Sequence, residues 1–276
     1  MPSLRTAPTP PSLRLTRRRL ASALVVLGAW LAPPAWAQAA AHQPRDGVVK
    51  LYGAGGPHTA LRQVADLWER QGGAKVVITA GPEPTWAARA QRDADILWGT
   101  SEQSMTAFLA SFPAFSSERV EPIYIRPTVI AVRAGNPRGI RGFEDLLQPG
   151  IRIVVTEGAG VANTSGTGTW EDLAGRLGRL DDIRRFRRNI VAFARGSGAS
   201  LRAFRELQAD AWITWPDWPV NHPELLEAVP IAADRVLWRD LNVVLSPAAD
   251  PAAASFLRFL VSAPAQELMR REGWQR

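Results

Sequence analysis

Short apolar runs recur along the chain from residue 48 onward. They are VVKLYG (48–53), AKVVITA (74–80), ADILWG (94–99), IYIRPTVIAVRA (123–134), IRIVVT (151–156), NIVAFA (189–194), DAWITW (210–215) and RVLWRDLNVVLS (235–246). They are rich in Val and Ile and mostly continuous rather than alternating, the pattern of strands buried on both faces of a parallel sheet. Between them the period lengthens. In residues 58–72, Leu61, Val64, Ala65 and Trp68 share one helical face, and Gly72 ends the run. Residues 101–112, 171–178, 197–208 and 250–262 read as helices in the same way, the first of these opening on Ser101 and Glu102. Strand, turn and helix in repetition predict an α/β fold.

Two extended runs, residues 119–134 and 235–246, are too long for ordinary strands of about 5–6 residues. Each is a candidate crossover between two lobes, the alternative being one long edge strand or two strands kinked at Pro127. Crossovers there divide the chain into a first lobe of residues 48–125 plus 237–276 and a second of residues 126–236.

The first 37 residues do not belong to this pattern. Arg5, Arg14, Arg17, Arg18 and Arg19 precede the apolar run LASALVVLGAWLA, and Ala35 and Ala37 flank Trp36 ahead of Gln38. Basic start, short apolar stretch and small-residue site are the marks of a signal peptide at residues 1–37, cleaved near Ala37, followed by a disordered start at 38–47. TRRRLAS suits the twin-arginine export route, and the general secretory route fits equally. Either places the protein in the periplasm. Five of the 33 basic residues leave with that segment, so 28 remain against 26 acids and the net charge falls from +7 to +2. The remaining charge carries no basic stripe with interleaved aromatics, which argues against nucleic acid as a partner. The absence of Cys excludes disulfides, thiolate metal sites, a Cys nucleophile and a lipid-anchored Cys.

Candidate chemistry concentrates where apolar strands give way to Gly and hydroxyl residues before a helix. YGAGGPHT (52–59), TEGAGVANTSGTG (156–168) and ARGSGAS (194–200) share this grammar, and GTSEQS (99–104) fits more loosely. A helix start offers free N–H groups and the positive end of the dipole; Gly permits close backbone approach, and Ser or Thr adds a neutral donor. This is a cradle for a small anion, placed at strand carboxyl ends where α/β proteins bind ligands. The candidate contacts are Gly55, Gly56, His58 and Thr59; Ser101 and Glu102; Asn163, Thr164, Ser165 and Gly166; and Ser197 and Gly198. Alternatively, Asn163, Thr164 and Ser165 cap the helix at Trp170, and His58 caps its own helix rather than donating to an anion.

Trp86 in GPEPTWAAR, and Trp215 and Asp217 in DAWITWPDW, fall just past strand or turn positions that would face a cleft. Arg126 lies in the first long run, where it either grips a ligand charge or pairs with an acid such as Asp240. Nucleotide and enzyme readings fail on inventory. GAGGPH and GAGVAN break the dinucleotide fingerprint at His58 and Asn163. Neither Ser165 nor Ser197 sits in G-x-S-x-G, and His42, His58 and His222 have no metal-ligand spacing. No cofactor, metal or catalytic residue is expected.

LYGAGGPHTAL, DADILWGTSEQSMTAF, YIRPTVIAVRAGNP, TEGAGVANTSGTGTWEDLAG and DAWITWPDW together closely resemble the accessory colonization factor C family of periplasmic binding proteins, over residues 48–274. More distantly, VRAGNPRGIRGFEDLLQPGIRIVVT, NTSGTGTW and GSGAS are similar to the sulfate and molybdate binding proteins of ABC importers. The resemblance implies a two-lobed type II periplasmic binding protein, each lobe a mainly parallel sheet flanked by helices. It implies a non-enzymatic monomer that closes around a small anion and delivers it to an importer permease or a membrane sensor. It carries Thr164, Ser165, Gly166, Ser197 and Gly198 over as oxyanion contacts. The GGPHT loop and Arg126 depart from the sulfate binders, so a small carboxylate or a sulfated organic ligand stays open beside a sulfate-like oxyanion.

Overall fold

The computed structural model describes residues 46–157 and 166–276. The expected signal peptide, its cleavage site and Asn163, Thr164 and Ser165 lie outside the described residues. The first part of the chain runs β1 (Val48–Gly53), α1 (His58–Arg70), β2 (Lys75–Ala80), α2 (Ala87–Asp93), β3 (Ile96–Gly99), α3 (Glu102–Ser111) and β4 (Glu121–Pro127). It continues through β5 (Val129–Arg133), β6 (Ile153–Glu157), α4 (Thr169–Gly175), α5 (Leu180–Asn189), β7 (Ile190–Arg195), α6 (Ser197–Glu206), β8 (Ala211–Thr214), α7 (Asp217–Asn221) and β9 (Leu226–Pro230). It then returns through β10 (Trp238–Leu245), α8 (Pro251–Leu260) and α9 (Ala263–Arg271).

The strands form two five-stranded sheets, ordered β2-β1-β3-β10-β4 and β7-β6-β8-β5-β9. Each sheet lies between two apolar layers. Val64, Trp98, Phe256 and Trp274 fill one side of the first sheet, and Trp86, Leu97 and Phe112 the other. Phe143, Trp170 and Phe186 cover one side of the second sheet, and Phe204, Trp212 and Leu226 the other. The helices follow local chemistry. Helix α1 turns Ala60, Leu61, Val64 and Ala65 inward. Ser101 and Ser104 cap α3 reciprocally, and Asp250 caps α8 by accepting from the Ala252 N–H.

The sheets are mixed, where mainly parallel sheets were expected. β1 runs parallel to β2 and β3, but β10 is antiparallel to β3 and β4. β6 runs parallel to β7 and β8, but β5 is antiparallel to β8 and β9. The cause lies in the passage between sheets. Residues 123–134 form two strands parted at Thr128, β4 in the first sheet and β5 in the second. Residues 231–237 carry the chain back from β9 to β10. The two passages bond to each other: Thr128 N–H donates to the Leu237 carbonyl (2.8 Å), and Leu237 N–H donates to Thr128 Oγ1 (3.1 Å). No described helix is long and apolar enough to cross a membrane.

Candidate functional site

The loop after β1 is shaped by its neighbours. Trp98 Nε1 donates to the Ala54 carbonyl at 2.9 Å, fixing the exit of the strand. At Gly55 the carbonyl accepts from His58 Nδ1 at 2.5 Å, so the exposed imidazole closes its own turn. A carbonyl only accepts, so the shared proton is carried by Nδ1. The bond closes the turn ahead of α1, and the side chain caps no N–H of the helix. Thr59, the second residue of α1, is half-buried. Gly56 lies directly against Arg126: a Cβ there would stand 3.0 Å from Nη2 and 3.1 Å from Nη1.

Arg126 is the centre of the arrangement. It projects from β4 one residue before the strand ends, and only 1% of it is exposed. Its guanidinium bonds to the Asp217 carboxylate, at the start of α7 in the second lobe. It also sits 4.8 Å from the ring of Trp215 and 4.2 Å from that of Trp274. Both indole N–H groups are buried and have no partner among the described residues. Burial pushes the Asp217 carboxyl above its ordinary value; Arg126 opposes that push, and the charge of nearby Glu272 adds to it. Glu272 in turn accepts from Gln63 of α1 (3.1 Å) and Asn221 of α7 (2.6 Å). A side chain at Gly273 would run into Pro216, 2.4 Å away, so the chain's last turn lies tight on the loop between β8 and α7. The acid that Arg126 meets is Asp217 rather than Asp240, whose carboxylate accepts from Asn242.

In the second lobe a buried chain of donors lies at the carboxyl ends of β6 and β7. Trp212 Nε1 donates to Thr156 Oγ1 (3.1 Å), which stands 2.7 Å from Ser200 Oγ, and Ser200 Oγ donates to the Gly196 carbonyl (3.2 Å). Gly166 packs against Thr156, where a Cβ would come within 3.0 Å. Gly168, with φ 73°, is the N-cap of α4. Ser197 and Gly198 open α6 behind Gly196, with Gly198 exposed and nothing within 4 Å of where its Cβ would be.

Other expected contacts are placed elsewhere. Trp86 is 1% exposed, packs on Tyr52, Phe108 and Phe112, and donates Nε1 to the Gly81 carbonyl at 3.0 Å. Its N–H is committed within the core of the first lobe. The Ser101 hydroxyl is buried as the cap of α3. Glu102 is exposed and pairs with Arg239 at 3.4 Å, the position of a counter-charge. The structure thus gathers Gly56, Arg126, Trp215 and Asp217 into one cluster. It adds Trp274, Glu272 and Arg239, which no local pattern in the sequence marked. The opposing of Arg239 to Arg126 becomes visible only once β10 is paired with β4.

Comparison with known proteins gives a consistent result. The profile of a family described as bacterial extracellular solute-binding protein matches residues 49–275. Peb3 from Campylobacter jejuni is 44% identical, with a TM-score of 0.78, over 83% of this chain and 99% of that one. PEB3 bound to L-phospholactate matches with the same identity and coverage and a TM-score of 0.79. The periplasmic molybdate-binding protein of Azotobacter vinelandii is similar in fold at 16% identity, with a TM-score of 0.61 over 83% of this chain and 99% of that one. No curated protein sequence matches the chain.

Proposed function

The chain belongs to the family of bacterial extracellular solute-binding proteins, and from that premise we propose that it captures a small organic anion at the junction of its two lobes. Its fold is that of the type II periplasmic binding proteins. The observation that carries the reading is Arg126. Its buried guanidinium stands at the junction, against the bare backbone of Gly56 on one lobe and the Trp215–Asp217 corner of the other. An oxyanion entering there lies beside the Arg126–Asp217 pair, the bare backbone of Gly56 and the N-terminus of α1. Peb3, at 44% identity, supports a ligand that joins a phosphoryl group to a carboxylate, since one of its structures holds L-phospholactate.

The role is binding rather than turnover. That is the role of the family to which the chain belongs, and the buried hydroxyls of Thr156 and Ser200 hydrogen-bond to each other and to an indole and a carbonyl. The N-terminal segment delivers the protein to the periplasm, where it hands its ligand to an ABC-importer permease or a membrane sensor. A second reading, a free sulfate-like oxyanion, is favoured by the Arg126–Asp217 pair: a cation already neutralised leaves an inorganic dianion to neutral donors.

A thermal-shift panel of sulfate, molybdate, phosphate, lactate and L-phospholactate tests the proposal. Ligand present at a hundredfold excess over its dissociation constant stabilises the fold by about 2.7 kcal/mol. The expected outcome is a concentration-dependent rise in melting temperature with L-phospholactate that lactate does not match. A rise with sulfate or molybdate alone selects the second reading, and no rise with any of the five overturns both.

A further inference from the structure

We propose that Arg239 selects ligands with a second negative charge, exchanging the carboxylates of Glu102 and Asp172 for an anionic group of the ligand. The inference rests on the anion-binding reading above and assigns it a residue. Arg239 of β10 stands directly opposite Arg126 of β4 in the antiparallel register. Opposed residues of such a pair project from the same face of the sheet, with Cα atoms about 4.5–5.5 Å apart. The two side chains therefore leave the same face of the sheet where the chain passes between lobes.

The two are held very differently. Arg126 is sealed, bonded to Asp217 and faced by two indoles. Arg239 has 16% of its side chain exposed and reaches one carboxylate from each lobe, Glu102 Oε1 of α3 at 3.4 Å and Asp172 Oδ2 of α4 at 3.7 Å. Both separations exceed the roughly 2.7–2.9 Å of a well-made charge-assisted hydrogen bond. The Arg239 Nε is buried and has no partner among the described residues. The Glu102 and Asp172 side chains are 62% and 57% exposed, so water takes them back at little cost, and such exposed pairs contribute little.

Space and geometry suit an exchange. An open groove of about 470 Å³ is lined by Glu171, Asp172, Gly175, Arg176, Leu237 and Arg239. The planar fork of Arg binds a carboxylate through two parallel N–H donors, which the present long contacts do not use. An anion with one charged group gains nothing from Arg239 when that group is held elsewhere at the junction. An anion with a second charged group reaches Arg239 as well and takes the place of Glu102 and Asp172. Because those acids belong to different lobes, the exchange also replaces a loose ionic contact between lobes with one made through the ligand.

The experiment is a calorimetric comparison of L-phospholactate with inorganic phosphate as probes. The wild type is expected to prefer L-phospholactate by at least about tenfold, the scale of one lost hydrogen bond to a charged group. Arg239→Gln should collapse that ratio to within about twofold of unity, and Arg239→Lys, which keeps the charge but loses the fork, should fall between. The double variant Glu102→Gln/Asp172→Asn keeps Arg239 and removes its competitors; its affinity for L-phospholactate should rise. A preference retained in Arg239→Gln, or an affinity that drops in the double variant, overturns the proposal and leaves anion binding itself intact. A wild type that binds neither probe overturns the anion-binding reading and this assignment with it.

Discussion

Replacing Arg126 by Gln leaves the Asp217 carboxylate, itself 4% exposed, buried without its cation. Breaking one side of a buried ion pair costs about 3–5 kcal/mol, because the remaining charge keeps its desolvation penalty. Chemical denaturation of Arg126→Gln should show a loss of that size, and adding Asp217→Asn should restore part of it. An Arg126→Gln protein as stable as the wild type would show that the pair contributes nothing to the fold. At this scale the sequence was partly legible. An Arg beside Pro127 in an apolar run is conspicuous, and of its two expected roles the structure shows the pairing with an acid, Asp217. Asp217 was legible only as a position past a strand end, because its partner lies 91 residues away. Trp86 occupies a similar position past a turn, yet the aromatic layer of Tyr52, Phe108 and Phe112 draws it inward.

Helices α4 and α5 are joined to the passage between lobes by a single buried cation. Arg235, 1% exposed, donates to the Leu173 carbonyl of α4 (3.0 Å) and to Asp182 of α5 (2.5 Å), while lying 4.1 Å from the ring of Phe143. Burial pushes the Asp182 carboxyl up, but hydrogen bonds from Arg235 and Arg179 outweigh it and leave the group below its ordinary value. A folded-state value below the unfolded one means stability that is present above about pH 4 and lost as pH falls through the lowered value. Asp182→Asn should therefore be less stable than the wild type at neutral pH, and the gap should narrow as denaturation curves are taken toward pH 3. A gap that stays constant across that range would contradict the linkage. The elements themselves follow the Val and Ile runs closely. What the runs miss is instructive: β9 (LEAVP) holds Glu227 and Pro230, exposed on a sheet edge, and α5 is so charged that its apolar face shrinks to Ile183 and Phe186. Strand direction was illegible for another reason. The antiparallel pairs of β5 and β10 arise from where the chain crosses between sheets, and the residue pattern within a strand carries no trace of that.

The described residues form two sheets, each between helical layers, joined by two passages that hydrogen-bond to each other through Thr128 and Leu237. Contacts between lobes cluster around the same place: Arg126 with Asp217, Glu272 with Asn221, and Arg239 with Asp172. A junction so rich in charge is costly to build as mere structure, since buried ion pairs return little net stability. It becomes intelligible as a site whose charges are completed by a ligand. The central claim is that one small anion binds there per chain. Isothermal titration calorimetry of the purified protein with L-phospholactate, run at two temperatures so that a zero enthalpy cannot hide binding, measures this directly. The account predicts saturable binding with a stoichiometry of one; the absence of saturable heat at both temperatures would contradict it.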